Sequence, residues 1–238
     1  GGLSNSMEVL VLIILIASYK YDFLNITKNK ILKRSILILI SLSFFLYFSR
    51  TMFVSLIILL LAIYGYLKIT LKAIKYGFLT FLVIGFFYAY LFSIDLDRGK
   101  PGIESFLYKL KIAPSEIFTP VKKIDINNHS YLWDHWRAYE ATKAIEQVNT
   151  IPALFVGKGL GSLVDLEMSV FLGEEKMRYI PTLHNGFVNI FYKSGILGLL
   201  VFLFFIFYVY LISYDRTSFE KNKVMNNLIG GIAVNFIF

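Results

Sequence analysis

Residues 187–212 form one apolar run in which Lys193 is the only charged side chain. A helix of that length reaches across a hydrocarbon core about 30 Å thick. Four other runs, 7–19, 35–48, 51–67 and 76–94, are long enough or nearly so, and a sixth begins near Leu228. The first two are short on apolar residues alone, so their polar flanks belong at the membrane interface. Hydrophobic residues make up 57% of the 238 residues and mean hydropathy is +0.64, gathered in runs rather than spread as amphipathic stripes. That arrangement excludes an ordinary soluble domain. The expected fold is an all-α integral membrane protein, a polytopic helical bundle carrying one large, partly helical polar loop. Its divisions are 1–94 with about four spans, 95–186 as the loop, and 187–238 with one full span and the start of another.

Charge sets the direction of these spans. The short loops 20–34, 68–75 and 213–223 hold eleven basic and three acidic residues, whereas the long segment 95–187 holds eleven basic and twelve acidic ones. The net charge of +8 is therefore that of the three short loops. The positive-inside rule makes those loops cytoplasmic and puts 95–187 on the outer face. A charge explained by topology gives no support to nucleic-acid binding, which would need a basic stripe with interleaved aromatics.

The absence of cysteine removes disulfides, thiol catalysis and thiolate metal sites. The chain opens on Gly1-Gly2, has no basic stretch before its first apolar run, and stops inside an apolar run at Asn235-Phe236-Ile237-Phe238. It reads as a piece of a larger membrane protein and not as one led by a signal peptide. Within the polar segment, a helix is expected at 102–111 between Pro101 and Pro114, and a stronger one at 132–148, where Trp133, Trp136, Ala144 and Ile145 recur at helical spacing. Gly157-Lys158-Gly159-Leu160-Gly161 suits a turn that lets the backbone pass close to a helix. It lacks the spacing and the βαβ surroundings of a nucleotide-binding loop.

Few residues carry chemistry. The run 35–67 would measure about 50 Å as one helix, too long for one span, so the chain turns near Arg50 on the outer side. A guanidinium there suits bidentate contact with phosphate, against the plainer reading of a snorkelling interfacial arginine. Arg137 shares a helix face with Trp133 and follows Asp134 by three, so a cation–π contact or an ion pair competes with a binding role. Of the three histidines, His129 sits in a polar turn and His135 beside Trp136; none has zinc-ligand spacing. His184 stands where the long polar segment meets the last full apolar run, where backbone N–H groups are unpaired and an imidazole can accept a proton near neutral pH. Asn185 and Asn189 share a face just after it, while Lys193 points elsewhere on a regular helix. Gly195 and Gly198 permit close packing.

His184-Asn185, nine residues, then Gly195-Ile196-Leu197-Gly198 fits the H-[NSQ]-x9-G-x-x-[GTY] pattern of O-antigen ligases and related polysaccharide polymerases, and the chain resembles that family. Arg50-Thr51-Met52-Phe53-Val54 resembles its R-x3-L motif with valine in place of leucine. The Trp136-Arg137 pair and the Gly157-Lys158-Gly159 turn look like features of the family's large periplasmic loop. The resemblance implies a multi-pass glycosyltransferase of the bacterial inner membrane with its active site facing the periplasm. It implies a donor glycan on undecaprenyl diphosphate, an acceptor glycan or lipid A-core, contact with membrane lipid and a chain-length regulator as partner. It also implies no cofactor, neither nucleotide sugar nor metal. In that frame His184 is the catalytic base, Arg50 and Arg137 bind the diphosphate, and Asn185 supports them. Asp134 and Glu140 are unranked candidates for a helping carboxylate.

The Lys-, Ile- and Asn-rich, aromatic character resembles the polymerases, which join lipid-linked repeat units, more than the ligases. A non-enzymatic exporter would place charges in mid-span along a pathway, and only Lys193 is so placed. A membrane O-acyltransferase would need a histidine facing an acyl tunnel. The topology has a direct test, because the chain has no cysteine of its own. An impermeant thiol reagent applied to intact cells should label Ser115→Cys and leave Asn29→Cys untouched; the reverse pattern would overturn the orientation.

Overall fold

The computed structural model describes residues 2–21, 29–46, 49–97, 99–100, 102–125, 128–172, 175–215 and 219–237. In chain order the elements are α1 (Gly2–Tyr21), α2 (Lys30–Leu46), α3 (Arg50–Ile63), α4 (Leu71–Ser93), α5 (Ile103–Phe118), α6 (His129–Gln147), α7 (Ile151–Val156), β1 (Val164–Leu172), β2 (Glu175–Ile180), α8 (Gly186–Leu211) and α9 (Glu220–Asn235). They form two compact units, residues 1–79 with 204–238, and residues 80–203. The described parts of the apolar runs are helical over most of their length, and the run 51–67 leaves α3 for a turn after Ile63. Among the described residues two helices, Ala73–Ser93 and Gly186–Tyr214, are long and apolar enough to cross a membrane. Met7–Ser18 and Thr51–Ile63 are shorter apolar helices.

In the first unit α3 packs against α1 and α9. Its core joins Val9, Leu12 and Ile13 of α1, Met52, Leu59 and Ile63 of α3, and Val224 and Leu228 of α9. Gly231 lets α9 come close, since a Cβ there would lie 2.4 Å from that of Ala62. The break expected near Arg50 is present. Ser49 is extended, its hydroxyl accepts the Met52 N–H at 3.2 Å, and Arg50 is the first residue of α3.

The second unit departs from the expected fold at two points. The all-α expectation is corrected by an antiparallel hairpin, β1 with β2, pairing Val164 with Ile180 and Leu172 with Glu175. Between Asp165 and Val170 the register shifts, and Glu167 takes φ 59° at that irregularity. Val164, Leu166, Val170 and Ile180 are buried against Leu132, Trp136 and Tyr139 of α6, so one face of the hairpin completes the core. The helix expected to stop before Pro114 continues through it to Phe118. Packing against α6 outweighs the local preference, with Lys111 Nζ donating to the Ile94 carbonyl at 2.7 Å on its other flank.

Two glycines fix how α8 begins. Gly195 has φ 65° and ψ −167°, so helical geometry is interrupted there and α8 is kinked. The carbonyls of Tyr192 and Lys193, in the turn before the break, accept from the N–H groups of Lys158 (2.8 Å) and Gly159 (3.0 Å). Gly157, at φ 75°, brings that turn into contact: a Cβ on it would lie 2.4 Å from the Lys193 and Ser194 backbone, and one on Gly195 would lie 2.3 Å from the Phe155 backbone. The Gly157-Lys158-Gly159 turn is thus the close backbone approach its composition suggests. Lys193 Nζ reaches the Ser162 carbonyl and Tyr192 OH donates to the Leu163 carbonyl at 2.8 Å, closing the same seam. Gly195→Ala and Gly157→Ala should each lower the thermal midpoint of the purified protein, by strain and displacement of about 1–3 kcal/mol or more. Gly161→Ala, with nothing within 4 Å, should leave it unchanged; equal effects at all three would deny the seam.

Candidate active site

The site is built on one face of α6 and on the residues leading into α8. Asn128 caps α6, its side chain accepting from the Tyr131 N–H. Leu132, Trp136, Tyr139 and Ala144 then turn inward at helical spacing. Glu140 falls on the same inward side and is 2% exposed. A carboxylate so buried is costly unless it is hydrogen-bonded. Its Oε2 accepts twice from one residue, from the His184 backbone N–H at 3.3 Å and from the ring at His184 Nδ1, 2.8 Å away.

This contact decides the chemistry of His184. An ionised carboxylate only accepts, so Nδ1 carries the proton and in the neutral ring Nε2 holds the free lone pair. Glu140 buries the orienting end of the pair, while the His184 side chain is 55% exposed. The hydrogen bond to Glu140 raises the imidazole above its ordinary value; burial and the Arg137 charge oppose this without reversing it. Arg137 stands exposed on α6, three residues before Glu140. A proton acceptor, its carboxylate and a guanidinium thus belong to one small region of the second unit.

The other candidates have distinct places. Asn185 caps α8, its Oδ1 accepting from the Val188 N–H at 3.1 Å, and Asn189 Oδ1 accepts from the Leu183 N–H at 3.3 Å. Both hold the chain around His184 and do not meet the imidazole. His184 lies two residues ahead of α8. Arg50 begins α3 in the first unit. His135 Nδ1 lies 3.0 Å from the Tyr131 carbonyl and its ring stacks on that tyrosine, which fits a packing role. Asp134 is the carboxylate not chosen; its Oδ2 accepts from Tyr108 OH at 3.3 Å. Glu140 could have been ranked above it in the sequence, because it shares the buried period of Leu132, Trp136 and Tyr139, where an acid demands a partner.

A family model described as O-antigen ligase matches residues 35–203, more than half of the chain. The chain belongs to the O-antigen ligase family. No curated protein and no solved structure matches it. Membership in the O-antigen ligase family agrees with the two membrane-length helices. The matched residues include Arg50, Arg137, Glu140, His184 and the glycines of the kinked helix. In this O-antigen ligase relative the two glycines of the motif do different work. Gly195 admits the backbone at Phe155, whereas Gly198 leaves room for the Ser194 side chain.

With only three histidines in the chain, His184 can be followed by NMR in a His129→Gln, His135→Gln background. It should titrate above the ordinary histidine value of about 6.5, and Glu140→Gln should bring it down. A raised folded-state value gives stability that is full below the unfolded value and is lost as pH rises through the folded one. Unfolding free energy should therefore fall across that window in the parent and less in Glu140→Gln. An unchanged titration in Glu140→Gln would remove the carboxylate from the site.

Proposed function

We propose that this protein is a polytopic inner-membrane glycosyltransferase, a polymerase that joins undecaprenyl-diphosphate-linked oligosaccharide repeat units of a surface polysaccharide at the periplasmic face. The observation that supports the reading most is the His184–Glu140 pair beside Arg137 in a member of the O-antigen ligase family. An acceptor hydroxyl approaching His184 would give its proton to Nε2 as its oxygen attacks the anomeric carbon of the donor. The new glycosidic C–O bond forms as the bond from the anomeric carbon to the diphosphate oxygen breaks, and polyprenyl diphosphate leaves as an anion. Glu140 holds the ring in the tautomer this requires and stabilises the imidazolium that results. Arg137 and Arg50 would offset the charge on the leaving diphosphate.

The same steps serve a ligase, whose acceptor is lipid A-core, and the family's own description favours that second reading. The two differ in the acceptor alone. Removing the gene separates them: a polymerase leaves single lipid-linked repeat units to accumulate, and a ligase leaves polymerised chains on the lipid carrier.

His184→Ala should lower kcat by about 10²–10⁴-fold, the usual contribution of general acid–base catalysis. Because the base must be neutral and its value is raised, activity should climb with pH along an acid limb above that of an ordinary histidine. In Glu140→Gln that limb should move to lower pH while the maximal rate falls. Arg50→Lys keeps the charge without the planar fork and should retain part of the activity, where Arg50→Ala loses nearly all. Full activity in Arg50→Ala at normal protein levels would take Arg50 out of the mechanism.

A further inference from the structure

Along α6 Trp133 and Arg137, at i and i+4, share the exposed side, and Glu140, at i+7, lies at its border with the inward side, the three within about 60° of one another around the helix. Trp133 is 46% exposed, although Leu132, Trp136, Ala138 and Tyr139 around it are each 5% exposed or less. Its ring is not loose: it lies 6.3 Å from the buried Trp136 ring, tilted by 56°. At roughly 1.5 Å per residue, seven residues put Trp133 about 10 Å along the helix from Glu140. Arg137 lies between them in sequence and along the axis. A flat apolar ring next to a guanidinium, on the helix whose Glu140 holds the His184 imidazole, matches the faces of a sugar. Pyranose rings present C–H groups on one side, which pack on an indole, and hydroxyls at their edges, which need polar neighbours.

We propose that Trp133 is a sugar-binding platform, stacking a pyranose ring of the lipid-linked glycan beside the guanidinium of Arg137. This rests on the glycosyltransferase reading and adds to it the residue that grips carbohydrate. Trp133 binds without taking part in bond making, so its loss should appear in KM and not in kcat.

The chain has two tryptophans, and the other, Trp136, is 3% exposed. In a Trp136→Phe background, fluorescence therefore reports Trp133 alone. The probes are lipid-linked oligosaccharide extracted from cells lacking the gene, and sugar-free polyprenyl diphosphate, each added to the full-length protein in nanodiscs. The glycan should shield Trp133 from acrylamide quenching and the sugar-free lipid should not. Trp133→Ala should raise KM for the glycan about tenfold, the change produced by losing about 1.4 kcal/mol of binding, with kcat within about twofold of the parent. Trp133→Phe should keep most of the affinity; Trp133→Leu, apolar but not planar, should not, and this pair carries the test if the alanine variant fails to accumulate. Shielding by the sugar-free lipid to the same degree would make Trp133 a membrane-interface residue and overturn the proposal. So would an unchanged KM in Trp133→Leu while His184→Ala is inactive, a result that leaves the catalytic reading standing. Full activity of His184→Ala would sink that reading instead, and the quenching experiment would still decide whether Trp133 touches sugar.

Discussion

The carbonyls of Tyr192 and Lys193 stand where α8 leaves helical geometry, and an unpaired buried carbonyl costs about 1–3 kcal/mol. Each therefore needs a donor to satisfy it. The Lys158 and Gly159 N–H groups do so, and they can approach only because position 157 has no Cβ to strike the helix backbone. Lys193 and Tyr192 add side-chain bonds to the Ser162 and Leu163 carbonyls. The first turns of α8 are consequently bound to the polar segment by backbone and side chain together. His184, just ahead of those turns, takes its position from the polar unit. The kink permits this, since residues beyond 195 can follow the membrane while residues before it follow α6 and the hairpin.

Two charged side chains are buried on α6, and each is satisfied by a different part of the chain. Glu140 is held by His184, and Lys143 bonds Glu167 at 2.7 Å and Glu146 at 3.1 Å. Gln147 adds a third tie, donating to the Asp165 carbonyl and accepting the Asp165 N–H as a neighbouring strand would. Ion pairs of this kind stabilise little over an apolar core of the same shape, but breaking one strands its partner. Their effect here is to fix register. Lys143 and Gln147 set β1 against α6, and Glu140 sets the loop after β2 against the same helix one turn earlier.

The long apolar runs were legible because hydropathy over eighteen or more residues admits one local structure, and the break at Ser49-Arg50 followed from length alone. The position of His184 at the entry to α8 was legible from the sequence, where the polar segment meets the apolar run. Glu140 stayed level with Asp134 because proximity in sequence does not say which carboxylate a histidine 44 residues away will reach. The hairpin was hidden for a related reason. Its register is set by contacts with α6, and three extra residues in β1, with Glu167 in a left-handed conformation, break the alternation that would have marked a strand. Pro114 misled as a helix stop since packing on α6 acts over the whole of α5.

The arrangement of charge on α6 also bears on an anionic donor. A carboxylate beside the reacting carbon would repel a diphosphate, yet the histidine needs one. Burial resolves the conflict. Glu140, 2% exposed, directs its charge into two N–H groups of a single residue, while Arg137, about a turn away, is left exposed. The proposed donor, approaching this face, would meet the guanidinium directly and feel the carboxylate only through the imidazole it holds. Arg137 in turn opposes the rise in the His184 value that Glu140 causes. In the mechanism proposed above, the cation assigned to the leaving group would therefore also oppose protonation of the base, and one turn of helix would set both terms.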